Sequence, residues 1–162
     1  MTMPHPTHLA LVAAVLTLTG CAALSPYSAQ TRLELTLTGN DLLNPDINGR
    51  PSPVVVRLLE LNNPVDFEAR DFFSLYTGRR ETLAQDLIAS EELELRPGHS
   101  QHLKLHVQPG SRYVGVLAAY RNLPHARWRH VIELEPGSLT RADLTLSDDG
   151  IHRVGTSAGG VR

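Results

Sequence analysis

The chain has 162 residues, 20% of them charged, with a formal net charge of −2. That length suggests one domain, and the near balance of charge excludes bulk attraction to a nucleic-acid backbone. Aromatic residues make up only 5%, so the core must come from Leu, Val and Ala, and the single cysteine, Cys21, excludes an internal disulfide.

The first element is the apolar run Leu9 to Leu18. Ten residues are too few to span a bilayer but suit the h-region of a signal peptide. The run ends Leu18-Thr19-Gly20-Cys21, which resembles the bacterial lipobox. The competing reading is a buried N-terminal helix with an incidental thiol. Against it, the apolar run, the small residues and the cysteine arrive together at the spacing a lipoprotein needs, although Met1 to His8 carries no Lys or Arg. The resemblance implies a signal peptide over residues 1–20, a covalent lipid on Cys21 and a lipidated tether over 21–30. Ala22, where an Asp would favour inner-membrane retention, implies an outer-membrane anchor facing the periplasm. At about 0.8 kcal/mol per buried CH₂, several acyl chains hold such a protein permanently.

Downstream, Leu33, Leu35 and Leu37 alternate with Arg32, Glu34 and Thr36, the period of a half-buried strand. Val54-Val55-Val56 begins the next strand, which runs to Leu61 with apolar residues on both faces. Either protein covers both sides of it or its register is ambiguous. Between the two strands lies a long loop, Thr38 to Pro53, where a hairpin would use two to five residues. Pro45, Pro51 and Pro53 remove backbone donors and stiffen it, and Asn48-Gly49 is a turn dipeptide. Long, stiff loops within a compact domain are mostly functional.

Asp66 to Gly78 changes period, and Phe67, Phe72, Phe73, Leu75 and Tyr76 predict one helix whose aromatic underside packs on a sheet. Thr82 to Gln85 has a capping-box pattern that predicts a second short helix with Leu83 and Leu87 inward. Glu92–Leu95 and Gln101–Val107 flank Arg96-Pro97-Gly98-His99 and read as a hairpin. Tyr113–Tyr120, with its small residues, reads as a central strand. Arg127–Leu134 alternates, placing Trp128, His130, Ile132 and Leu134 on one face. Thr140–Leu146 directs Ala142, Leu144 and Leu146 inward, and Ile151–Val154 forms a short last strand after the Asp148-Asp149-Gly150 turn. Residues 155–162 have little to bury and are expected to be a disordered tail. Seven or eight strands with helical material inserted once predict an all-β sandwich over residues 31–154.

Chemistry finds little support in this pattern. Of eight histidines, His102 and His106 share a strand face but lie four residues apart, about 13 Å at ~3.3 Å per residue, too far to chelate one ion. The Gly-x-Ser-x-Gly spacing of Gly155 to Gly159 falls in the expected tail and not at a strand-to-helix elbow, and no phosphate-cradling loop is present. Arg121, Arg127, Arg129 and Arg141 make either a basic patch or, more simply, cross-strand charge pairs. The expectation is a protein that is not an enzyme and needs no cofactor or metal.

The ordered set Leu43-Asn44-Pro45-Asp46, Gly49-Arg50-Pro51-Ser52-Pro53-Val54-Val55-Val56-Arg57, Asp71-Phe72-Phe73-Ser74-Leu75-Tyr76, Leu95-Arg96-Pro97-Gly98, Tyr113 to Arg121 and Trp128-Arg129 resembles the TssJ family. These are outer-membrane lipoproteins of the bacterial type VI secretion system. The resemblance spans about Thr31 to Val154. It implies a transthyretin-like two-sheet β-sandwich with small helical insertions. It further implies docking of the periplasmic C-terminal region of TssM, and through it TssL, by the loop between the first two strands. On this chain the partner-binding residues would be Asn40, Asp41, Leu42, Leu43, Asn44, Asp46, Ile47, Asn48 and Arg50. Leu42, Leu43 and Ile47 would be apolar anchors, with Asp41, Asp46 and Arg50 a polar rim. The alternative is a periplasmic lipoprotein that binds a small ligand or cell-wall fragment on its sandwich.

Overall fold

A computed structural model describes residues 30–78, 83 and 85–155. The predicted signal peptide, Cys21, the tether up to Ala29, the capping-box residue Thr82 and the tail from Thr156 lie outside the described residues. The strands are β1 (Arg32–Gly39), β2 (Val54–Leu61), β3 (Leu87–Leu95), β4 (Ser100–His106), β5 (Tyr113–Ala118), β6 (Arg129–Glu133), β7 (Leu139–Leu146) and β8 (Ile151–Arg153). Two short helices, α1 (Val65–Ala69) and α2 (Phe72–Thr77), follow β2.

The strands form two four-stranded sheets, β4-β1-β7-β8 and β3-β2-β5-β6, packed as the expected β-sandwich. In the first sheet β1 lies between antiparallel β4 and parallel β7. Leu33, Leu35 and Leu37 face inward, as their alternation requires, and meet Val54, Val56 and Leu58 of β2 in the inter-sheet core.

A second apolar cluster lies on the opposite face of β2. Leu59 and Leu61, with Leu117 of β5, are covered by Phe67, Phe72 and Leu75. Burial of a side chain such as Phe67, which is fully buried, contributes about 1.5–3 kcal/mol. The apolar residues on both faces of β2 therefore mean a strand sandwiched between two protein layers.

Three expectations are corrected. The first is the hairpin: β3 pairs with β2 and β4 pairs with β1, so the Arg96–His99 turn carries the chain from one sheet to the other. The backbone around it supplies the reason. The Gly39 amide donates to His99 O and the Gly98 amide to Gly39 O, both at 2.9 Å, which fastens the turn to the end of β1. A Cβ on Gly39 would lie 2.6 Å from Arg96 O, so only glycine permits this approach.

The second correction is the single helix over Asp66–Gly78. Asp71 is extended (φ −73°, ψ 162°) and its Oδ1 accepts the Ser74 amide at 3.0 Å, capping α2 and ending α1 before it. Phe67, Phe72 and Leu75 still face the sheet, but Phe73 is 64% exposed. Third, Trp128 precedes β6 instead of lying in it; it packs against the inter-sheet cluster that holds Ile132, as expected, and also against the second cluster, where it meets Phe72 edge-on with centroids 5.4 Å apart. Leu83 is buried as expected, and Leu87 opens β3.

The register defines two ends. Arg32 pairs with His106 and Leu139, while at the other end Thr38 pairs with Ser100 and Gly39 with Leu146. The β1–β2, β3–β4, β5–β6 and β7–β8 connections all gather at this second end, away from where the chain enters β1.

Candidate functional site

The β1–β2 connection, residues 40–53, is the longest of those four connections and is internally bonded. The Asn40 amide donates to Leu146 O, and Asn40 Oδ1 accepts the Leu42 amide, each at 2.9 Å. The chain then folds back on itself. The Ser52 amide donates to Leu43 O at 2.9 Å and the Asp46 amide to Arg50 O at 2.8 Å.

Asp46 organises the tip. Its Oδ1 accepts the amides of Asn48 (2.8 Å) and Arg50 (2.9 Å), and its Oδ2 accepts Nε and Nη2 of Arg50, both at 2.8 Å. The backbone bond from Arg50, reinforced by the Arg50 side chain, the Asn48 amide and the Arg121 charge, holds the carboxyl below its ordinary range against opposing desolvation. Asp46 is thus an ionised structural cap, and it engages Arg50 through two of the five guanidinium N–H donors.

The predicted apolar anchors part company. Leu42 is 58% exposed and Ile47 fully exposed, whereas Leu43 is completely buried in the inter-sheet core. Leu43 therefore has no surface to offer a partner and instead fastens the loop. Asn44 is likewise only 3% exposed and sits at φ +45°, a conformation Asn tolerates better than other non-glycine residues. Its Nδ2 donates to Pro53 O (2.8 Å) and its Oδ1 accepts the amide of Arg121 (2.9 Å). Asp41, Asn48 and Arg50 are exposed, and Asn40 is half-buried.

Behind the tip is an open recess of about 720 Å³ with Pro45, Ile47 and Arg50 on one wall and Arg121, Asn122 and Asp148 on the other. Of the second wall, the sequence singled out Arg121 alone, as one of four arginines weighed as a basic patch, and not as a neighbour of the loop. Its place beside the loop leaves no local trace, because it reaches the site only through the β5–β6 and β7–β8 connections.

The four arginines weighed as a patch are dispersed. Arg141 pairs with Glu34 across β1 and β7 at 2.9 Å, while Arg129 donates to the carbonyls of Phe67 and Arg70 beneath the helices. Arg121 and Arg127 lie in the β5–β6 connection. Among the described residues no group of three or more His, Cys, Asp or Glu is placed to hold a metal ion.

Comparison with known proteins places this architecture. TssJ1 of Pseudomonas aeruginosa, a type VI secretion lipoprotein, is 32% identical, with 80% of this chain and 98% of that one aligned at a TM-score of 0.75. Lip of Serratia marcescens, described as a membrane-bound component of the type VI secretion system, is 26% identical over 79% of this chain and 100% of that one, with a TM-score of 0.72. A chain in the structure described as the T6SS protein TssM C-terminal domain (869-1107) from EAEC is 25% identical, covering 78% of this chain and 99% of that chain at a TM-score of 0.66. No curated protein sequence matches the chain. Residues 31–149 match the family described as type VI secretion lipoprotein, VasD, EvfM, TssJ, VC_A0113, and with nearly all of the sandwich inside that match the chain belongs to this family.

Proposed function

We propose that this protein is the outer-membrane lipoprotein of a type VI secretion membrane complex, anchored by a lipid on Cys21, and that its 40–53 loop docks the periplasmic C-terminal region of TssM. TssM in turn joins it to TssL. The observation that carries the reading is Ile47: a fully exposed isoleucine at the tip of a self-bonded loop, at the end of the sandwich away from the chain's entry into β1. With Leu42, also exposed, it gives this one loop two large apolar side chains for a partner to cover. Prolines 45, 51 and 53 lower the entropy lost when such a loop is immobilised.

The match to the EAEC structure supports the choice of partner. Aligning 78% of 162 residues, about 126, covers 99% of the matched chain, yet residues 869–1107 number more than 200. The matched chain is therefore read as a shorter companion of the TssM domain in that structure.

Leu42 and Ile47 supply the apolar contacts, with Asp41 and Asn48 beside them. Deleting the loop wholesale would also remove Leu43 and Asn44 from the fold, so point changes are the cleaner test. Ile47→Asp should leave a folded protein that no longer captures the TssM periplasmic region in a pull-down; undiminished capture sinks the loop assignment. Cys21→Ser should release the protein from the outer-membrane fraction into the soluble periplasm, and retention there would refute the anchor.

A further inference from the structure

We infer that the docking surface has two walls, not one: the loop tip at Ile47 and the β5–β6 connection at Arg121, joined in the free protein by Asn44. This rests on the docking reading above and names the chemistry of the partner segment. That segment would seat in the recess, place an apolar side chain on Ile47 and present a carboxylate to Arg121.

Three observations converge on it. Arg121 is exposed and lines the same recess as Ile47, from a different connection. Among the described residues Arg50 is committed to Asp46, whereas Arg121 forms no ion pair. Its charge reaches Asp46, whose carboxyl it helps to hold ionised, and Asp148 lines the same recess, but neither carboxylate closes on the guanidinium, which is left to take a partner carboxylate in a bidentate fork. Lastly, Asn44 is a buried side chain that bonds both walls, Pro53 O on the loop and the Arg121 amide 77 residues away. The spacing between Ile47 and Arg121 is therefore set before any partner arrives.

Asn44 is thus a positioning residue. Its loss lets the loop sample other arrangements, and apparent affinity falls in proportion to the fraction that retains the competent one. Glycine is the informative substitution, because it keeps the positive φ without strain and removes only the side-chain bonds.

The experiment is a binding titration of the folded lipidless protein against the TssM periplasmic region at two salt concentrations, with amide exchange of residues 45–52 followed in parallel. Ile47→Asp should abolish binding, and if it does not, the docking reading itself fails. Arg121→Glu should weaken binding about tenfold or more and flatten its salt dependence, while Arg121→Lys recovers part of the loss. Asn44→Gly should weaken binding about tenfold and accelerate exchange at Asp46 and Ser52 while the unfolding midpoint stays within a few degrees. With Ile47→Asp inactive, wild-type affinity in Arg121→Glu overturns the second wall. Wild-type affinity together with unchanged exchange in Asn44→Gly overturns the joint.

Discussion

Gly115 of β5 lies directly beneath the ring of Phe67: a Cβ on Gly115 would stand 2.9 Å from Phe67 Cζ and about as close to both Cε atoms. Phe67 is fully buried and packed by Leu61, Leu75 and Leu117, so the ring has nowhere to retreat. This contact fixes how closely α1 approaches the second sheet. Gly115→Ala should destabilise the protein by about 1–3 kcal/mol through overpacking. Urea denaturation would register this as a lower midpoint with an unchanged slope.

The buried and exposed halves of the loop should separate cleanly in stability measurements. Leu43→Ala empties a fully buried position and should cost about 2–5 kcal/mol. Ile47→Ala removes a side chain that touches water on all sides and should change stability by less than about 0.5 kcal/mol. Thermal unfolding of the two variants, run side by side, checks the assignment. A large loss at Ile47 would mean that the tip packs somewhere.

Acid should open the loop tip. The Asp46 carboxyl is held below its ordinary pKa of 3.8, first by the Arg50 backbone bond. A depressed folded pKa means that its stabilising contribution is complete above the unfolded value and is lost as pH falls through the folded one. The Asn48 and Arg50 amide proton shifts should therefore titrate together, with a midpoint below 3.8. A common midpoint at or above 3.8 would contradict the cap.

His130 should act in a higher window. Burial, and then the Arg153 charge, holds its imidazole below its ordinary value of 6.5. The unfolded chain thus binds the proton more readily than the folded one. Stability from this group is full above about pH 6.5 and declines as pH falls from there through the folded pKa. Urea midpoints at pH 7.5 and 5.0 should differ more in the wild type than in His130→Gln. Equal differences would remove His130 as the cause.

Much of the scaffold was legible because burial on one face leaves a local trace. Leu33, Leu35 and Leu37 announced β1, and Ala142, Leu144 and Leu146 announced the inner face of β7. The unusual length and proline content of the β1–β2 loop were equally plain. The Glu92–Val107 region was misread because alternation tells which side chains face inward and nothing about which strand lies alongside. The break at Asp71 was missed for a related reason: a cap written in one residue is hard to see beneath a continuous aromatic stripe.

The sequence by itself determined the strand pattern, the family resemblance and the location of the candidate loop, all of which depend on residues close together in the chain. Only the tertiary structure decided which loop residues are available to a partner. Leu42 and Leu43 are adjacent and chemically identical, yet one is exposed and the other lies in the core. Asn44 looks like a surface turn residue until Arg121 is brought to it. Both outcomes depend on contacts with distant segments, and a local pattern carries no record of what the fold will place opposite it.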